Sequence, residues 1–460
     1  MNIYRVADEL ISSNDIDIKI KQFFSFIKYY FQNGRPQILG KYQYKIIKIL
    51  PIIMDKISFN DLCYIIPEFY QFCYTVSKDI LITANQKRIS RTVLIPFASA
   101  IEKKIKLLDF KELNYEVSEN NYVIYCRHAV TQGLYAPGKQ IYTIVDALLK
   151  SNKTVLIYVR GQTDKVFKEL EKKNGKLSII NKNPKSNIDE EFIELKEICI
   201  KFKPIKIITE IPLGLSTVLY MSKISSKILF WSAGFHQVPW FDYKLLVPEI
   251  YSDDHSKLPE FVKIPHSLNY ELLNPFFELD MIDKVKKNKL KLKSDNFVIG
   301  TFARYEKISE PFLKMVLNIL NNNPNIKFIL AGPNDQSLAK QILNSVIKKE
   351  QALLFGSTNT QLLGNCCDIF LDTFPIPCGY SALEMMAKGK PVVVFKGKNL
   401  GDYAKVRLPE LIFEDKDNLE KCIKKLAKNK FFYKKNSDSY KNIAIKLDRW
   451  EDLAKSIISI

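Results

Sequence analysis

From about residue 121 the chain alternates short β-branched apolar runs with stretches of helical period. Tyr122-Val-Ile-Tyr-Cys126, Thr154 to Arg160, Ile205 to Thr209 and Lys227 to Trp231 read as buried strands, with a helix over 139–150. A lysine-rich break follows at 284–293, after which the pattern restarts. Phe297 to Ala303, Ile326 to Ala331, Ala352 to Phe355, Asp368 to Asp372 and Pro391 to Phe395 read as strands, and Glu310 to Leu320 and Ser337 to Lys348 as helices. Such alternation builds parallel sheets with helices on both faces, so two doubly wound α/β units in tandem are expected. Before residue 115 nothing alternates. Ile16, Ile18, Ile20, Phe23, Phe24 and Ile27 recur at helical spacing, and Gly34-Arg35-Pro36, Pro51 and Pro67 divide the region. The expected domains are an all-α one over 1–115, α/β ones over 116–285 and 286–435, and a C-terminal helix over 436–460 that packs back across the domain boundary.

Composition narrows the function. The 460 residues are 47% hydrophobic, enough for packed cores, and hold no apolar run of the roughly 20 residues a membrane span needs. Acids stand near the N-terminus where a signal peptide is apolar, so a soluble cytoplasmic protein is expected. Eight cysteines without a C-x-x-C pair read as reduced core thiols. Asp15-Ile-Asp17 and Asp415-Lys-Asp417 lack the context of a cation site, and no metal or other cofactor is expected. A net charge of +19 attracts phosphate in some form. No dense basic run interleaves with aromatics, so nucleic acid is not the expected partner; an anionic membrane face is an option.

Two segments carry candidate chemistry. In 372–395, Pro375 and Pro377 end an apolar strand, Gly379 permits close backbone approach, and Tyr380-Ser381 opens a short helix. Ser381 with Glu384 reads as a capping box, and the same helix start, at a strand's carboxyl end, is also an anion site. In 297–310 a strand empties into Arg304 and Lys307, two cations suited to a diphosphate. Gly332 lies at the same rim after the next strand. Neither a P-loop nor G-x-G-x-x-G is present.

Taken together, the tandem sheets, Tyr-Glu-Lys-Ile at 305–308, Cys-Asp-Ile-Phe-Leu-Asp-Thr at 367–373 and Gly-Tyr-Ser-Ala-Leu-Glu…Lys-Gly-Lys-Pro-Val-Val at 379–393 resemble glycosyltransferases of the two-domain GT-B fold. The resemblance is nearest to the O-GlcNAc transferases and the bacterial enzymes that glycosylate high-molecular-weight adhesins. Trp231 to Tyr243 is similar to that group's loop ending in Asp-Tyr. The resemblance implies an acceptor-side Rossmann-like domain followed by one that holds a nucleotide-sugar, with UDP the expected carrier. It places Lys307 and Arg304 at the diphosphate, Tyr380 and Ser381 at the phosphate-receiving helix start, and Glu384 at the ribose. Thr-Gln-Leu-Leu at 360–363 departs from the histidine and arginine of the O-GlcNAc transferases near the base. Ile376 replaces the first acid of the retaining enzymes' Glu-x7-Glu pair, which favours inversion. His128 and His236, on loops after first-domain strands, are the candidate bases. The acceptor is a protein, a surface glycan or a lipid-linked glycan, the last with peripheral residence at the inner membrane face. A sugar-nucleotide epimerase or hydrolase, and a non-catalytic nucleotide-binding scaffold, are the alternatives.

Overall fold

The computed structural model describes residues 9–10, 12–33, 49–59, 61–62, 95–107, 115–126, 128–131, 136–182, 188–209, 228–231, 244–248, 261–304, 307–332, 336–345, 349–375, 377–396 and 406–460. Two compact units emerge. Residues 1–128, 153–162 and 176–246 form the first, and 129–152, 163–175 and 247–460 the second.

The first unit opens with helices, including α1 (Ile16–Asn33) and α2 (Ile95–Leu107). Asp15 belongs to a cap: its carboxylate accepts the Asp17 N–H at 2.8 Å. Beyond the helices, parallel strands β1 (Ser118–Cys126), β2 (Thr154–Val159), β3 (Leu177–Asn181), β4 (Pro204–Thr209), β5 (Ile228–Trp231) and β6 (Lys244–Pro248) run in the order β3-β2-β1-β4-β5-β6. Central β1 aligns Tyr122 with Val155 on one side and Lys206 on the other. Tyr122 to Cys126 are buried without interruption, as a strand covered on both faces requires.

The second unit includes α3 (Ala136–Lys150), α4 (Lys165–Lys173) and the short strand β7 (Phe261–Ile264). Its main body is a parallel sheet of β8 (Phe297–Phe302), β9 (Ile326–Ala331), β10 (Ala352–Phe355), β11 (Ile369–Leu371), β12 (Val392–Phe395) and β13 (Ile412–Phe413), ordered β10-β9-β8-β11-β12-β13. Every residue of β9 is buried. Helices α5 (Leu279–Lys284), α6 (Glu310–Asn322), α7 (Thr360–Cys366) and α8 (Tyr380–Ala387) accompany these strands. Cys366 and Cys367 close α7 as buried thiols, each near the carbonyl four residues back. Burial pushes the Cys367 thiol far above its ordinary range.

The chain end departs from the expected single helix. It forms α9 (Lys430–Lys446) and α10 (Trp450–Ser459), with a break fixed from outside. Leu447 O accepts the Leu268 N–H at 2.8 Å, and Ser267 Oγ accepts the Arg449 N–H at 3.0 Å. Helix α10 then packs on α3, with Lys150 Nζ 5.4 Å from the Trp450 ring centre. Asp415, the other acid flagged in a triplet, caps the helix Lys416–Lys428 by accepting the Asn418 N–H at 2.9 Å. Among the described residues no helix is long and apolar enough to cross a membrane.

Close packing of β8 against α7 depends on Gly300, where an added Cβ would stand 2.6 Å from Cys367 Sγ. Gly300→Ala is expected to cost about 1–3 kcal/mol of stability through overpacking. Chemical denaturation checks this, and Cys367→Ala in the same chain is expected to recover part of the loss.

Candidate functional site

In the second sheet, connections leave β8 and β11 towards opposite edges, which opens a crevice beyond the carboxyl ends of these neighbours. The loops that follow the two strands meet there. Thr301 Oγ1 donates to Leu371 O at 2.7 Å, joining the strands up to the rim. Ser309 caps α6 by accepting the Phe312 N–H at 3.2 Å and donates to Phe374 O at 2.7 Å. Lys307 Nζ donates to Pro377 O at 2.7 Å. The lysine singled out in the sequence therefore touches the turn singled out beside it.

The turn is shaped from beneath by Asp372. Its carboxylate accepts the Thr373 N–H at 2.9 Å and the Cys378 N–H at 2.6 Å. Arg407 donates to Asp372 Oδ2 at 3.2 Å and to Cys378 O at 3.1 Å. Both charged side chains are 1% exposed. The sequence reading missed Arg407, because its partners lie 29 and 35 positions away. Burial pushes the Cys378 thiol up to about 11, so at neutral pH it keeps its proton within the turn.

Helix α8 begins where the turn ends, with a correction to the expected cap. Gly379 is the N-cap and no side chain closes it; Tyr380 and Ser381 are already helical. The capping box does not form, because Glu384 lies too far into the helix and is ion-paired with Lys139 of α3. The first turn also carries no acid. An N-terminus uncapped by side chains, at the mouth of a crevice, presents its backbone N–H groups and partial positive charge to an anion.

The other candidates divide. Arg304 is exposed and makes no hydrogen bond to the described residues of the 372–379 turn. Gly332 is buried with φ +122, a backbone favouring glycine, and donates its N–H to Gly356 O at 3.1 Å. Beyond the same strand ends, Gln336 Nε2 and both amide atoms of Gln361 are buried without a hydrogen-bond partner among the described residues. His128 Nδ1 accepts the Gln162 N–H at 3.1 Å. That bond leaves the neutral ring's proton on Nε2, so His128 acts as a base only by giving the bond up. His236 lies outside the described residues, as does most of the 231–243 loop.

Residues 282–446 match the family model for glycosyl transferases group 1, which spans this sheet and its crevice. No curated protein matches the sequence. Solved structures match across the fold. A Thermobaculum terrenum O-GlcNAc transferase mutant is 12% identical with a TM-score of 0.52, covering 99% of this chain and 96% of that one. A Rickettsia africae glycosyltransferase is 15% identical with a TM-score of 0.56, covering 74% and 98%. Anabaena Alr3699/HepE, solved with UDP-glucose, is 13% identical with a TM-score of 0.55, covering 74% and 100%. The α/β architecture is thus that of the GT-B glycosyltransferases, with Rossmann-like parallel sheets.

Removing one partner of a buried ion pair strands the other. Arg407→Met is expected to cost about 3–5 kcal/mol in denaturant unfolding. Arg407→Met with Asp372→Asn is expected to lose less than the two single changes added together.

Proposed function

We propose that the protein is a glycosyltransferase that takes a sugar from a nucleotide-sugar, with the donor diphosphate held in the β8–β11 crevice, and passes it to an acceptor hydroxyl. The observation that carries the reading is Lys307 against Pro377 O, at the foot of a helix whose N-terminus has no side-chain cap. A lysine has three N–H donors, so one can hold the turn while two face phosphate oxygens. As the anomeric carbon–oxygen bond breaks, negative charge grows on the departing nucleoside diphosphate. Lys307 and the first amides of α8 stabilise that charge, so no metal is assigned to the step. Arg304, exposed at the same loop, supplies further positive field. The buried amide of Gln361 offers N–H donors and a carbonyl acceptor to the nucleotide's base. UDP is the expected carrier, in keeping with the UDP-glucose bound by the Anabaena protein. Inversion needs a base at the acceptor hydroxyl, for which His236 and His128 are the candidates, His128 only on giving up the Gln162 bond.

UDP or GDP is expected to raise the melting temperature of the wild type and not of Lys307→Ala. Across a panel of sugar nucleotides, one donor is expected to release nucleoside diphosphate. No response to any nucleotide would overturn the donor site; binding without turnover across the panel and lysate acceptors would favour a scaffold.

The acceptor reading rests on a separate surface. Phe276 is 89% and Leu279 77% exposed, at the start of α5, a helix with no buried residue. Exposed Lys284, Lys287, Lys289, Lys291 and Lys293 follow within the next turns. Protruding apolar side chains beside lysines suit an anionic bilayer surface, which favours a lipid-linked or membrane-proximal glycan acceptor over a soluble polypeptide. The protein is expected to sediment with phosphatidylserine vesicles at low salt, and Phe276→Ser with Leu279→Ser to abolish this. Salt-insensitive failure to sediment would return the choice to a soluble protein acceptor.

A further inference from the structure

Glu384, expected at the ribose, is already engaged. Its side chain is 4% exposed and ion-paired with Lys139, which is 5% exposed. Lys139 sits in the first turn of α3, where Thr143 Oγ1 donates to its carbonyl at 2.9 Å. A second cation stands one turn farther on, at the C-cap of α8: Lys388, whose Nζ donates to Asn274 Oδ1 at 3.3 Å. Burial lowers Lys388 to about 8, with Glu384 acting in the opposite sense and Lys139 adding to the drop, so at neutral pH Lys388 still carries most of its charge. Lys139 is thus the ion-pair partner of Glu384, and Lys388, four residues on, adds positive field from beyond ion-pairing distance.

Distance makes that charge usable. Glu384 lies four residues into α8 from Tyr380, a rise of about 6 Å from the helix start. The flexible four-carbon stem of a lysine can cover such a span by changing rotamers. If Lys139 departs, Lys388 at the i+4 position is the cation placed to turn towards Glu384.

We propose that Lys139 exchanges partners when the donor enters, leaving the Glu384 carboxylate for the diphosphate and freeing that carboxylate to accept hydrogen bonds from the ribose hydroxyls. This rests on the donor-site reading given above. Without donor, each group satisfies the other. With donor, the ammonium meets phosphate oxygens and the carboxylate meets two hydroxyls, so neither charge is stranded. The pair holds the ribose position closed until an anion arrives to draw the lysine away. A nucleoside without phosphates must instead break the pair with nothing to offer Lys139.

The test compares UDP with uridine, and GDP with guanosine, by calorimetric titration of the wild type, Lys139→Met, Lys139→Arg and Glu384→Gln. In Lys139→Met the diphosphate is expected to bind about tenfold more weakly, the loss of one charged hydrogen bond, while the nucleoside binds more tightly. Lys139→Arg is expected to keep the wild-type ratio. Glu384→Gln is expected to weaken the nucleoside more than the diphosphate, which keeps the test alive if Lys139→Met fails to fold. Equal weakening of both ligands in Lys139→Met, or an unchanged ratio in Glu384→Gln, would overturn the exchange and leave a purely structural tie. A wild type that binds neither diphosphate would remove the donor site itself, and the exchange with it.

Discussion

One buried carboxylate organises the proposed site. Asp372 follows β11 directly and gathers two backbone N–H groups and the Arg407 guanidinium, all away from solvent. A lone carboxylate at this depth would be costly, so its partners have little freedom to leave. Because Arg407 also holds Cys378 O, the turn is pinned at its start and at its end. That restraint sets where Pro377 O faces Lys307 and where α8 begins. A rigid turn matters because preorganised donors stabilise developing charge without reorganising at the moment of reaction.

Electrostatics then accumulates at one edge of one sheet. The β8 loop contributes Lys307, the β11 turn leads into uncapped helix amides, and Gln336 after β9 and Gln361 in the first turn of α7 bring buried amide atoms without a hydrogen-bond partner among the described residues. At the opposite end of β11, Asp368 Oδ2 instead accepts the Val298 N–H at 2.7 Å, tying neighbouring strands together. Asp368 is spent on the fold, whereas the uncapped amides of α8 lie at the carboxyl-end crevice. This asymmetry is what a doubly wound sheet with a binding edge requires.

Much of the second sheet was legible in sequence because parallel strands covered on both faces are written as unbroken apolar runs, as in Ile326 to Ala331. Strand β3 was not, since Leu177-Ser-Ile-Ile-Asn181 lies at the sheet's edge and buries only Leu177 fully. Strand β13, two residues long, leaves no periodicity to read. The capping box shows the limit of local pattern. Ser381 and Glu384 have the right spacing, yet Lys139, 245 positions away, takes the carboxylate. Arg407 escaped notice for the same reason, because nothing near it in the chain announces Asp372. The break at 447–449 is likewise imposed by Ser267 and Leu268 rather than by a local breaker.

The central claim is that a pyrophosphate lies between the β8 loop and the start of α8. A crystal structure of the protein with UDP tests it most directly. The account predicts diphosphate oxygens within hydrogen-bonding distance of Lys307 Nζ and of the first backbone amides of α8, with the 372–379 turn unmoved. A diphosphate bound elsewhere, with Lys307 still committed to Pro377 O alone, would contradict it.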